Sequence, residues 1–180
     1  MEALQPSIFL ITGIPASGKS TVGQLLAQHF PKAVHIDGDV IHGFIVTGKV
    51  FMSSESQPEA LAQLYLRYRQ AAMLAKSYLE AGFMVVWQDN CFGSALQYCA
   101  DLIEHDLFQV VVLTPSVEVI RQRNAARGKD GYAGYSIEEL DQSLRNETPR
   151  IGIWIDSSEQ TPDQTVNEIL ERTILEPPLY

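Results

Sequence analysis

Gly13-Ile14-Pro15-Ala16-Ser17-Gly18-Lys19-Ser20 satisfies the pattern G-x-x-x-x-G-K-[ST] in full. Such a loop binds phosphate because its glycines let successive backbone N–H groups turn into one concavity, with the positive end of the next helix behind them. Gly13 opens the loop, and Ala16, Ser17, Gly18, Lys19, Ser20 and Thr21 supply the amides and side chains that face the nucleotide. Lys19 is expected to bridge the β- and γ-phosphates, and the Ser20 hydroxyl to enter the oxygen shell of Mg²⁺. ATP and Mg²⁺ are therefore the expected cofactors.

Two carboxylates, Asp37 and Asp39, flank Gly38 at the end of a short apolar run. Either can accept the proton of a hydroxyl that attacks the γ-phosphate; an Asx turn or a helix cap is the structural use of the same residues, most simply a cap at Asp39. Asp89 closes another apolar run and is a candidate for supporting the magnesium shell through water, or for starting a turn with Asn90. Arg121, Arg123, Arg127 and Lys129 concentrate four cations within nine positions. Arg123 and Arg127 stand four apart, on one helical face, where guanidinium groups can close over phosphates.

These residues need elements to hold them. Ser7–Thr12, Ala33–Ile36, Phe83–Trp87, Phe108–Leu113 and Gly152–Asp156 are short, apolar and rich in β-branched residues, as expected of strands covered on both faces. Between them helical spacing predicts helices from Lys19 to about Phe30, from Val40 to Ile45, from Pro58 to Gly82, from Ser94 to Glu104, from Pro115 to Arg127, from Ser136 and from about Asp163 to Ile174. Ser136 with Glu139 is a reciprocal capping pair. Three glycines between Gly128 and Tyr135 predict a lid loop over about residues 127–136. Strand and helix alternate throughout, which predicts one doubly wound parallel α/β domain over residues 1–180.

Composition narrows the partners. The chain has 180 residues, 46% hydrophobic and 19% charged, with 13 Lys+Arg against 22 Asp+Glu and a net charge of −9. That field repels polyanions, so neither nucleic acid nor an anionic membrane is an expected partner. An acidic N-terminus and the lack of a long apolar run predict a cytoplasmic protein. Cys91 and Cys99 lack metal-ligand spacing and are expected as packing thiols.

With the phosphate loop, Gly38-Asp39, Val85–Phe92 containing Asp89, and Arg123–Gly128 in that order, the chain resembles the small P-loop kinases of the nucleoside monophosphate kinase class. It is similar in particular to chloramphenicol phosphotransferase and its relatives, and more distantly to the tunicamycin-resistance ATP-binding proteins. The resemblance implies a three-layer α/β/α P-loop NTPase fold with five parallel strands in the order 2-3-1-4-5. It implies an ATP-dependent kinase acting on a hydroxyl of a small molecule, an antibiotic among the candidates, with Asp39 as general base. Arg123 falls on the arginine near the adenine and Arg127 on the lid arginine facing the phosphates. The acceptor then lies between the helix after Asp39 and the long helix from Pro58, where Asp37, Phe44, Phe51, Met52, Tyr65, Tyr68 and Arg69 are candidates to line it. Val46–Met52 has no counterpart in those relatives. A nucleoside or nucleotide kinase and a non-catalytic, ATP-gated ligand-sequestering protein are the alternatives.

Overall fold

The structure, a computed structural model, describes residues 6–55, 58–104, 108–128 and 132–175. Five strands, β1 (Ile8–Thr12), β2 (Ala33–Asp37), β3 (Met84–Gln88), β4 (Phe108–Leu113) and β5 (Ile153–Ile155), form one parallel sheet in the order β2-β3-β1-β4-β5. This is the expected 2-3-1-4-5 order and the P-loop kinase fold. β1 lies at the centre, with Leu10 opposite Trp87 on one side and Val110 on the other. All residues of β1, β3 and β4 are buried, so no polar alternation appears in them.

The helices are α1 (Lys19–Gln28), α2 (Gly38–Gly43), α3 (Pro58–Glu80), α4 (Ser94–Ile103), α5 (Val117–Arg127), α6 (Ile137–Glu147) and α7 (Pro162–Leu175). Alternate residues of β1 feed two cores. Ile8 and Leu10 join Tyr68, Ala71, Leu96, Ile120 and Leu144 beneath α3 to α6, while Phe9 and Ile11 join Val22, Leu26, Val166 and Ile169 beneath α1 and α7. Helices thus cover both faces. Cys91 and Cys99 are free and buried, with their sulfurs 3.3 Å apart, and they pack in the first core.

Two boundaries differ informatively from those predicted. α5 begins at Val117 because the Ser116 side chain accepts from Val119 N, placing the cap one residue beyond Pro115. At the second strand the cap is Asp37, whose Oδ1 accepts from Asp39 N at 2.8 Å. Asp39 is consequently in the first turn of α2 and is not its cap. The Ser136–Glu139 capping box is present as expected. Lys129 and the middle of the predicted lid lie outside the described residues. Among the described residues, no helix is long and apolar enough to cross a membrane.

Candidate active site

The carboxyl ends of β1, β2 and β3 open into a cleft of about 1500 Å³. One wall is the loop between β1 and α1. Gly13 has φ 149°, and a Cβ there would stand 2.6 Å from the Leu113 carbonyl oxygen, so only glycine lets the loop pass β4. Ala16 takes φ 63°, a left-handed conformation rare outside glycine and concentrated at functional sites. Gly18, also left-handed, caps α1 with no side chain of its own, leaving the first-turn amides of that helix without a side-chain cap.

Side chains from far along the sequence hold this loop by its carbonyls. Arg123 on α5 donates to Ser17 O at 3.2 Å and to Ser157 O at 3.1 Å, joining the loop to the segment after β5. Tyr132 donates to Pro15 O at 2.6 Å. Lys19 is buried at the head of α1, and its Nζ donates to Ile14 O at 2.9 Å. Burial pulls the Lys19 ammonium down from 10.5 to about 8; the charges of Asp89 and Asp39 oppose the shift and Arg127 adds to it. Asp39, Asp89 and Arg127 all line the same cleft as Lys19.

The facing wall is α2, the segment to Met52, and α3. One face of α3 carries Gln63, Arg67 and Tyr68, all buried, and each holds a different neighbour. Gln63 Nε2 donates to Gly48 O at 2.8 Å while its Oε1 accepts from Val50 N at 2.9 Å. Tyr68 donates to Asn90 O at 2.7 Å. Arg67 reaches Asp89 Oδ1 at 2.5 Å and Asp39 Oδ1 at 3.5 Å. Asp89 is enclosed, and a Cβ on Gly38 would stand 2.0 Å from its Oδ2, so Gly38 is the residue that lets α2 pack over it. Burial pushes the Asp89 carboxyl up from 3.8 to about 6, although Arg67 and the Asn90 N–H pull the other way.

The cleft brings together most of the sequence candidates. Ala16, Ser17, Gly18, Lys19, Ser20, Thr21, Asp37, Asp39, Met52, Tyr68, Asp89, Arg123 and Arg127 all line it. Phe44 does not; it follows α2 and is 67% exposed. Arg69 is also elsewhere, on an exposed face of α3 with Nη1 3.4 Å from Tyr98 Oη. Arg121 leaves the cation cluster as well, pairing with Glu138 and Glu118 at the surface. Tyr68 lines the cleft yet is fully buried in the core. Helical spacing places an arginine on the cleft-facing side of α3 at position 67, two residues before the one singled out; the i, i+4 relation to Gln63 is the signal that marks it.

A family model described as an AAA domain matches residues 8–149. The chain belongs to this family of P-loop kinases. It is 32% identical over 152 residues to a guanylate kinase of Psychrobacter arcticus, covering 77% of this chain and 69% of that protein. In fold it resembles the Mycobacterium tuberculosis APS kinase solved with AMPPNP and APS, with a TM-score of 0.68 at 16% identity, covering 93% of this chain and 96% of that one. It also resembles the Deinococcus radiodurans tunicamycin resistance protein, with a TM-score of 0.67 at 14% identity, covering 97% and 99%. A family member with an intact phosphate loop has the equipment for nucleotide use.

The residues also fit a magnesium ion. Among the described residues there is no cluster of three or more His, Cys, Asp or Glu, so a protein-only cage is absent. Ser20 is exposed on the first turn of α1, and the buried Asp89 Oδ2 has no hydrogen-bond partner. One hydroxyl and one carboxylate beside a phosphate site are the sparse oxygen donors that magnesium uses with substrate phosphates and water.

Proposed function

We propose that the protein transfers the γ-phosphate of ATP to a hydroxyl of a small molecule. The carrying observation is the Asp39 carboxylate: it is 82% exposed and lines the same cleft as the phosphate-loop residues Ala16 to Thr21. Asp37 supports that assignment by being committed to the α2 cap. In the transfer, Asp39 accepts the hydroxyl proton as the acceptor oxygen bonds to the γ-phosphorus, and the bond from that phosphorus to the bridging oxygen breaks to release ADP. Lys19 and Arg127 stabilise charge on the transferring oxygens. Arg123, tied to Ser17 O, borders the adenine end. Ser20 and Asp89 would hold Mg²⁺, which when bound neutralises charge on the phosphates.

The resemblance to chloramphenicol phosphotransferase favours an antibiotic-like alcohol as acceptor, and the apolar side chains of Met52, Leu61, Leu64 and Phe92 along the cleft agree with it. The net charge of −9 supports a small molecule over a polynucleotide. A nucleotide acceptor is the second reading, favoured by the 32% identity to a guanylate kinase.

The test is incubation with Mg·ATP and a panel of hydroxylated antibiotics, nucleosides and nucleoside monophosphates, read by ADP release and by mass spectrometry of the products. A phosphorylated non-nucleoside alcohol supports the first reading, and a phosphorylated nucleoside or a nucleoside diphosphate the second. A ligand held tightly with ATP but never phosphorylated would show a sequestering protein and end both.

A further inference from the structure

Arg67 touches two of the carboxylates that line the cleft, Asp89 and Asp39. Its Nη2 lies 2.5 Å from Asp89 Oδ1 and its Nη1 lies 3.5 Å from Asp39 Oδ1, while its Nε is buried without a partner. The two acids differ sharply: the Asp89 side chain is 1% exposed and the Asp39 side chain 82%. A buried carboxylate and a buried guanidinium hold one another rigidly, because separating them strands a charge in low dielectric. An exposed aspartate on the first turn of a six-residue helix has no such restraint of its own. The planar fork of arginine can carry the order of the first partner to the second, since its donors are fixed relative to each other.

The rest of the α3 face points the same way. Gln63 fixes 48–50 and Tyr68 fixes Asn90, so the residues flanking Arg67 are already occupied in locating the segments that border Asp39 and Asp89. His42, one turn after Asp39, also feels Arg67.

We propose that Arg67 is a positioning residue of the transfer step, anchored on Asp89 and orienting the carboxylate of Asp39 toward the acceptor hydroxyl. The inference rests on the phosphotransfer reading above. It adds a residue to which that reading gives no role and which acts through Asp39.

The experiment compares wild type with Arg67→Met, Arg67→Lys, Asp39→Asn and the Arg67→Met/Asp39→Asn double variant. Turnover is measured with the acceptor that the panel returns and with water as the acceptor, and affinity for AMP-PNP without Mg²⁺ by calorimetry. Arg67→Met should lower kcat by about 100-fold, the lower range for a displaced general base, while the affinity for AMP-PNP without Mg²⁺, which does not involve the Asp89 carboxylate, changes by less than about threefold. Arg67→Lys keeps the charge against Asp89 but not the fork, and should recover about a tenth of wild-type kcat. The double variant should be no slower than Asp39→Asn alone, because both remove the same contribution.

An Arg67→Met enzyme with wild-type kcat overturns the proposal, as does a loss of nucleotide affinity parallel to the loss of kcat, or losses that multiply in the double variant. Should Arg67→Met not fold, a folded Arg67→Lys enzyme with undiminished kcat overturns it equally. If Asp39→Asn is slow and Arg67→Met is fast, only this inference fails. If Asp39→Asn is fast, or wild type transfers to nothing including water, the functional reading fails and takes this one with it.

Discussion

The two walls of the cleft are assembled in different ways. Gly13 to Ser20 presents backbone: its contacts are Ser17 N to Ile14 O, Lys19 Nζ to Ile14 O, and carbonyls accepting from Arg123 and Tyr132. The opposite wall presents side chains, held by Gln63, Arg67 and Tyr68 across 13 to 28 residues of sequence. A backbone cradle is specified by where glycine and a helix start must fall, whereas a side-chain wall is specified by which residues a long helix brings opposite one another. The first recognises a group every nucleoside triphosphate shares. The second has freedom to suit an acceptor.

Substitutions that break one wall should therefore leave the function of the other intact. The largest effect is expected at Lys19. Lys19→Met should lower phosphoryl transfer by about 10²–10³, equivalent to about 2.7–4 kcal/mol of transition-state stabilisation, comparable to losing one preorganised donor. Steady-state ADP release checks this, and acceptor affinity measured by calorimetry should be retained. A Lys19→Met enzyme with lost acceptor binding and normal nucleotide affinity would reverse the assignment of the walls.

The next effect separates the buried acid from the exposed one. The Asp89 carboxyl is raised from 3.8 to about 6 by burial, so between about pH 4 and 6 the folded protein binds a proton that the unfolded chain has released. Stability from this group is therefore present below pH 4 and is lost as pH rises through 6, by about 3 kcal/mol over a shift of about two units. Lys19 has the reverse sign. Its pKa is lowered to about 8, so the unfolded chain holds the extra proton between about pH 8 and 10.5 and stability rises with pH there. Thermal melts of wild type and Asp89→Asn across pH 4 to 7 should diverge accordingly, with wild type losing ground as pH rises. Parallel curves would show that Asp89 is already ionised at pH 4.

The same contrast explains what could be read from the residues alone. The strand order, the phosphate loop and the 136–139 cap follow from local rules: apolar runs between helical periods, glycine at a strand-to-helix turn, Ser with Glu three residues on. The acceptor wall does not. Arg67 shares the helical face of Gln63 and Arg69 does not, but which face of α3 meets the cleft is decided by the rotation of the helix about its axis, fixed by Ala71, Ala72 and Ala75 packing in the core, which turns Arg67 inward and Arg69 out. Likewise Asp37 and Asp39 are equivalent as residues beside Gly38. Where β2 ends decides which one caps, and that end is set by pairing with β3, Asp37 opposite Gln88.

Gly38 gives an effect of intermediate size. Gly38→Ala puts a methyl group 2.0 Å from the present position of Asp89 Oδ2, and Asp89 cannot swing away without leaving Arg67. Overpacking of this kind destabilises by about 1–3 kcal/mol. Melting temperature should fall and transfer should weaken, and affinity for Mg·AMP-PNP should fall with the displacement of Asp89, while affinity for AMP-PNP without Mg²⁺ is retained because the phosphate loop is untouched. A fully active and stable Gly38→Ala protein would mean that α2 shifts freely over Asp89.

The smallest effect is expected where the two walls meet. Tyr135 donates from its hydroxyl to Ser53 O at 2.7 Å, and Ser54 N donates to Ala133 O at 3.2 Å, so the segment before α6 is joined to the segment before α3. Both tyrosines of this segment reach a carbonyl, but on different walls: Tyr132 takes Pro15 on the phosphate loop and Tyr135 takes Ser53 on the acceptor side. A net hydrogen bond of this type contributes about 0.5–1.5 kcal/mol, and deleting the hydroxyl leaves a half-buried carbonyl that water can reach. Tyr135→Phe should therefore raise the KM for the acceptor by about two- to tenfold and leave the KM for ATP unchanged. Tyr132→Phe should do the opposite, since its carbonyl belongs to the nucleotide wall. If both substitutions shift the two KM values together, the walls are coupled through residues 132–135 and act as one unit instead of two.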